Sequence, residues 1–414
     1  MKNKIIKILT LSAVLVLSLC FVLACEKGNI NNNGDNVQTH THNYTASVVY
    51  PTCIDDGSAI CTCTCGESYG VVIPALNHVE VKDNKVEPTC TEDGLTEGSH
   101  CSRCGETFVK QEEIEALGHT YENSNQCSVC GYVDTRYFTF TFLLKGTYSI
   151  KAADVNNIPA HVVIPSTYNG EAVTSIGYEA FYGCTGLTSV VIPDSVTEIG
   201  DRAFLTCTSL TSVFIPDSVT SIGRYAFSDC ISLQFNVHNN VKYLASKTNN
   251  YFAVIGSVNT NLSSITIHND AKIIANHAFY YDTRLTSVVI PDSVTSIGED
   301  AFSYCSSLTS VVIGDSVTSI GDYAFSYCSS LTSVVIGDSV TTIGAEAFRA
   351  CYNLTSVVIP DSVTSIGDYA FYYCSSLTSI KYSGTQTQWD KITKGTNWNS
   401  NTGYYTITYN YTGK

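Results

Sequence analysis

The sequence predicts a mainly β fold: a solenoid of 23-residue turns with capping hairpins, preceded by small Cys-rich modules. Three observations carry this. An Ala-Phe pair begins at Ala180, Ala203 and Ala226, then at Ala278, Ala301, Ala324, Ala347 and Ala370, and every step but one is 23 residues. The stretch from Ile313 to Val335 is repeated almost letter for letter from Ile336. Between residues 44 and 134 a different repeat, built on Cys, Pro and His, recurs instead. A fixed period in the twenties reads as stacked turns, because one turn cannot bury its own apolar face and its neighbours can.

Residues 1–24 open with Lys2, Lys4 and Lys7 and continue as an apolar run from Ile8 to Ala24, which reads as an export signal. The run is short for a spanning helix. Cys25, after Val22, Leu23 and Ala24, resembles a bacterial lipobox, in which that Cys is acylated and becomes the new N-terminus. An ordinary signal peptide is the alternative. Acylation would hold the chain to a membrane through burial of CH₂ groups, at about 0.8 kcal/mol each, without crossing it. Residues 25–43, rich in Asn and Gly and without apolar periodicity, read as a flexible tether.

The Cys-rich modules span 44–134. The first copy holds Pro51-Thr52-Cys53, then Cys63-Thr64-Cys65-Gly66, then Leu76-Asn77-His78. The second holds Pro88-Thr89-Cys90, Cys101-Ser102-Arg103-Cys104-Gly105 and Leu117-Gly118-His119, and a truncated third offers Cys127-Ser128-Val129-Cys130-Gly131. Taken copy by copy, Cys90, Cys101, Cys104 and His119 form a Cys₃His set suited to a structural Zn²⁺, with Cys53, Cys63, Cys65 and His78 as a degenerate partner and Cys61 spare. The third copy then lacks a fourth ligand unless His119 serves it. Disulfides are the competing reading, since an exported module too small for a core needs a staple of some kind. Four ligands leave no open position, so a catalytic metal is disfavoured and no cofactor is required.

Tyr137 to Ala153 alternates, with Lys145-Gly146 as a turn, so 135–160 reads as a cap hairpin protecting the first solenoid edge. The solenoid itself runs over 161–382. In one turn the apolar positions are Leu308, Val311, Ile313, Val317, Ile320, Ala324, Phe325 and Cys328, with Val311 and Ile313 on the inner face of a strand and Gly321 at a bend. The gap from Ala226 to Ala278 is 52 residues, two periods plus six. One degenerate turn therefore lies there, with Val241 to Leu244 and Tyr251 to Ile255 expected to pair as a hairpin. Residues 383–414 form the far cap, where Trp389 packs on the last turn and Tyr404 to Tyr411 adds a strand.

The repeat wording IPDSVTSIGxxAFxxCxxLTSV resembles the BspA-like leucine-rich repeats of bacterial surface proteins over roughly residues 160 to 382. The Cys modules resemble stalk repeats found beside such solenoids. The resemblance implies a leucine-rich repeat solenoid, displayed outside the cell and associated with adhesion. It transfers no ligand, because the repeat defines a scaffold.

Repeated positions become lines along the stack, about 4.8 Å apart. Cys184, Cys207, Cys230, Cys305, Cys328, Cys351 and Cys374 form an inward row that reads as free core thiols. Asp194, Asp217, Asp292, Asp315, Asp338 and Asp361 sit at bends, where carboxylates accept backbone N–H groups; a Ca²⁺ row is the sharper alternative. Ser189, Ser212, Ser287, Ser310, Ser333 and Ser356, beside Val191, Phe214, Val289, Val312, Val335 and Val358, should face outward and form the best candidate partner-binding line. A formal charge of −15 disfavours nucleic acid, and no triad, phosphate loop or acid/base pair recurs. The expectation is a lipid-anchored surface protein, not an enzyme, that binds an extracellular protein or glycan. A structural envelope role without a ligand is the alternative.

Overall fold

The computed structural model describes residues 44–64, 66–259 and 263–413. The leader, Cys25, the tether and Cys65 lie outside them. Among the described residues no helix is long and apolar enough to cross a membrane. The chain divides into two compact units, residues 1–119 and 120–414.

The first unit holds two copies of one small module. In the first copy Tyr44–Val49, Gly57–Cys63 and Ser68–Ile73 make a three-stranded antiparallel sheet. In the second, Glu80–Asp83, Gly98–Cys101 and Thr107–Val109 do the same. The second copy adds a two-stranded pairing of Gly94–Leu95 with Glu113–Ile114. What closes each copy is polar: Leu76 N–H donates to Thr52 O and Leu117 N–H to Thr89 O, both at 2.9 Å, while Asp56 and Asp93 accept from Ala75 and Ala116, both at 2.7 Å.

In the second unit the hairpin of Phe138–Phe142 and Tyr148–Ala152 covers the first turn, and Tyr148–Ala152 pairs parallel with Glu171–Ile176. Each full turn then supplies two short strands to two parallel ladders. Ser310–Ile313 shows the expected alternation, with Val311 and Ile313 buried and Ser310 and Val312 exposed. The second strand, Ser319–Ile320 and its equivalents, is only two residues long. That brevity hid it from a periodicity reading, which recognises alternation over four residues or more.

Identical residues meet identical residues between turns. The rings of Phe302, Phe325 and Phe348 stack in sequence at 5.1 and 5.4 Å. Cys328 Sγ donates to Phe302 O at 3.2 Å and Cys351 Sγ to Phe325 O at 3.2 Å, so each thiol adds a second donor, from the next turn, to a carbonyl that already accepts the N–H of Cys305 or Cys328. Thr309, Thr332 and Thr355 each donate Oγ1 to the previous Thr carbonyl at 3.0 Å. The donor hydrogen of each of these hydroxyls is thus spent on joining one turn to the next.

At the interruption, Asn236–His238, Val241–Leu244 and Ala253–Ser257 form an antiparallel meander, whose last strand pairs parallel with Ile273–Ile274. The hairpin expected there is thus one strand larger. It divides the core: one cluster runs from Phe138 to Leu233 and takes in Leu244 and Phe252, and the other runs from Val241 to Ile392. The far end is closed by a helix, α1 (Gln386–Lys391), started by a capping box between Thr385 and Gln388. Its Trp389 is buried against Tyr382, and Thr406–Thr408 pairs parallel with Ser379–Tyr382.

Candidate functional site: an outward apolar line and a thiolate–imidazole cluster

The solenoid's candidate site is the outer row of its longer strands. Val289, Val312, Val335 and Val358 are direct partners in successive parallel pairs, as are Ser287, Ser310, Ser333 and Ser356. Val289 and Val312 are 56 % and 50 % exposed, and the inward neighbours Val288 and Val311 are buried, so the line is presented by strand alternation alone. Ser189, Val191, Ser212 and Phe214 occupy the same face before the interruption, with Val191 and Phe214 exposed. The two stretches belong to separate sheets, so the line is not continuous along the stack.

A depression of about 650 Å³ runs over Val289, Val312 and Val335 and is bordered by Asp292 and Asp315. The Asp row helps to build that rim. Asp292 Oδ1 accepts from Asp315 N at 2.9 Å, and Asp315 Oδ1 from Asp338 N at 3.1 Å. The solenoid also carries an aromatic row: Tyr304 and Tyr327 stack at 4.6 Å, and the Arg349 guanidinium lies 5.7 Å from the Tyr327 ring. Tyr281, Tyr304, Tyr327 and Tyr373 all hold left-handed backbone, which is uncommon for bulky residues.

The first unit carries the chemistry. Cys53, His78, Cys101 and Cys104 bring one ligand atom each to within 4.8 Å of one another. Cys53 and His78 come from the first copy, held by the Thr52–Leu76 hydrogen bond. Cys101 and Cys104 come from the second copy's knuckle, which Gly105 turns with a φ of 81°. Arg103 Nη1 donates to the carbonyls of Leu76 and Asn77 and seats the knuckle beside His78.

This corrects the copy-by-copy grouping. Cys101 and Cys104 join Cys53 and His78, not Cys90 and His119, because the knuckle folds back onto the preceding module. Cys63 ends its strand with its N–H donating to Glu67 O at 2.7 Å, and Cys61 is disulfide-bonded and not spare. Within the second module, Cys90 is buried and His119 half-buried.

Within the cluster, Cys53 Sγ and Cys101 Sγ are 3.8 Å apart and Cys104 Sγ and His78 Nδ1 3.5 Å. Arg103 N–H donates to Cys101 Sγ at 3.4 Å. Burial pushes the Cys101 thiol up, but backbone hydrogen bonds outweigh it and bring the pKa to about 5. Burial and the neighbouring sulfurs of Cys104 and Cys101 push Cys53 up to about 11. Such a group can hold a metal ion.

The BspA type leucine-rich repeat region matches in six copies over residues 161–283 and 257–378. Among solved structures, a leucine-rich cell surface protein from Faecalibacterium prausnitzii is 27 % identical, with 63 % of this chain and 97 % of that one covered and a TM-score of 0.39. A Treponema pallidum leucine-rich repeat protein is 27 % identical over 53 % of this chain and 88 % of that one, with a TM-score of 0.28. A Bacteroides ovatus leucine-rich repeat protein is 26 % identical over 66 % and 76 %, with a TM-score of 0.27. No curated protein matches the chain.

Proposed function

Because this chain belongs to the BspA-type leucine-rich repeat family, we propose that it is a cell-surface binding protein, lipid-anchored at Cys25, whose solenoid meets an extracellular protein through its outward Val line. The observation that carries this reading is the row Val289, Val312, Val335 and Val358. Four β-branched side chains lie in register on one sheet face, and two of them are half exposed. A single exposed valine is ordinary surface; an aligned row offers contiguous apolar area. Binding through such a row gains from length, because each added turn contributes one more contact of the same kind.

An adhesive role also fits what the fold spends its polar groups on. The Thr hydroxyls are tied between turns and the buried thiols donate to carbonyls, which favours a scaffold over a catalyst. The Cys modules would serve as a spacer between anchor and solenoid.

The test is binding of the full chain to immobilised matrix proteins and to whole cells, against the Val312→Asp/Val335→Asp double variant. Saturable binding that the variant loses, with an unchanged thermal transition, supports the reading. Binding to nothing on the panel supports the envelope role instead.

A further inference from the structure

We infer that Cys53, His78, Cys101 and Cys104 form a closed, structural Zn²⁺ site whose ligands come from two consecutive modules, so that one ion clamps the first module to the second. Two of the ligand–ligand distances match those of a tetrahedral ion. A tetrahedron with metal–sulfur bonds of about 2.3 Å and a metal–nitrogen bond of about 2.0–2.1 Å has edges of about 3.8 Å between sulfurs and about 3.6 Å between sulfur and nitrogen. The observed separations are 3.8 Å for Cys53 Sγ to Cys101 Sγ and 3.5 Å for Cys104 Sγ to His78 Nδ1. Three sulfurs and one imidazole select a borderline-soft cation over Ca²⁺ or Mg²⁺.

The surroundings are those of a metal ligand set. His78 turns Nδ1 toward the sulfurs, and its Nε2 lies 3.2 Å from Glu106 Oε2, the carboxylate partner that fixes the tautomer of a metal-bound imidazole. The Arg103 N–H donates to Cys101 Sγ, which stabilises a thiolate. Glu106 and Arg103 both belong to the second module, while the histidine they position belongs to the first. The clamp also supplies a staple to modules built on short strands and too small for a sizeable core.

The full chain is purified under reducing conditions, loaded with Zn²⁺, freed of excess, and its bound metal counted for the wild type, Cys53→Ser, Cys101→Ser and the double variant. Circular dichroism checks that the solenoid stays folded. A shared ion predicts that each single variant loses one equivalent and that the double loses no more than either. Loss of two equivalents in the double would mean that Cys53 and Cys101 serve different ions, and the intermodular clamp would be wrong. A reduced wild type that binds no Zn²⁺, or a Cys53–Cys101 disulfide in chain recovered from the cell surface, would overturn the site itself. Glu106→Gln gives a second reading: the equivalent is kept, but affinity falls 10- to 100-fold in a competition with a chromophoric chelator.

Discussion

Phe325→Ala removes the middle rung of the aromatic stack. The ring is fully buried and lies 5.1 Å from that of Phe302 and 5.4 Å from that of Phe348. A core Phe→Ala substitution costs about 3–5 kcal/mol, depending on how far the site can collapse. Here the turns cannot close over the gap. Phe325 N–H donates to Ala347 O at 2.8 Å, Cys351 Sγ donates to Phe325 O at 3.2 Å, and parallel pairing of Ser310–Ile313 with Ser333–Val335 fixes the spacing. Two ring contacts are lost as well, each worth about 0.5–1.5 kcal/mol beyond its area. The expected cost is therefore at the upper end, about 4–5 kcal/mol. Phe279, equally buried, ends the stack with the ring of Phe302 at 5.1 Å, so Phe279→Ala should cost about 1 kcal/mol less. Urea unfolding followed through Trp389, which belongs to the same core, measures both. A Phe325→Ala cost below about 2 kcal/mol, or one no larger than that of Phe279→Ala, would refute the fixed-spacing argument.

The buried thiol row should resist alkylation in the folded chain: mass spectrometry after iodoacetamide treatment should find Cys305, Cys328 and Cys351 unmodified until denaturant is added. Burial pushes all three thiols well up, and only the thiolate attacks. Gly321→Ala should lower the thermal midpoint at a cost of about 1–3 kcal/mol by overpacking. An added Cβ would sit 2.6 Å from the Gly298 carbonyl carbon and 2.7 Å from Glu299 N, backbone atoms that cannot yield without separating two turns.

Much of the solenoid was legible because its code is local. The 23-residue step, the inward positions Val311, Ile313 and Phe325, and the Cys row each repeat within the chain, so periodicity alone places them. The second ladder was not legible, since a two-residue strand such as Ser319–Ile320 has no alternation to read. The Cys/His cluster was half legible. Its Cys and His residues stand out in the sequence, but grouping by copy assumes that a module folds on itself, and the Cys101 knuckle instead packs on the module before it. The sequence did hold a signal of that offset: the first knuckle, Cys63-Thr64-Cys65, is degenerate, while a clean surplus knuckle, Cys127 to Cys130, follows the last histidine of the modules. The separation of the outward line into two sheets follows from the meander at 236–257, whose three strands the spacing only partly announced.

The most direct measurement places the same substitution at two adjacent residues, Val311→Asp and Val312→Asp, and reads thermal unfolding and partner binding on each. Val311 is buried and Val312 half exposed on the same strand, so an inward carboxylate must abolish cooperative folding, whereas an outward one must leave the transition in place and abolish binding. Equal unfolding of both variants, or intact binding by Val312→Asp, would contradict a register-set solenoid that binds through its outward valines.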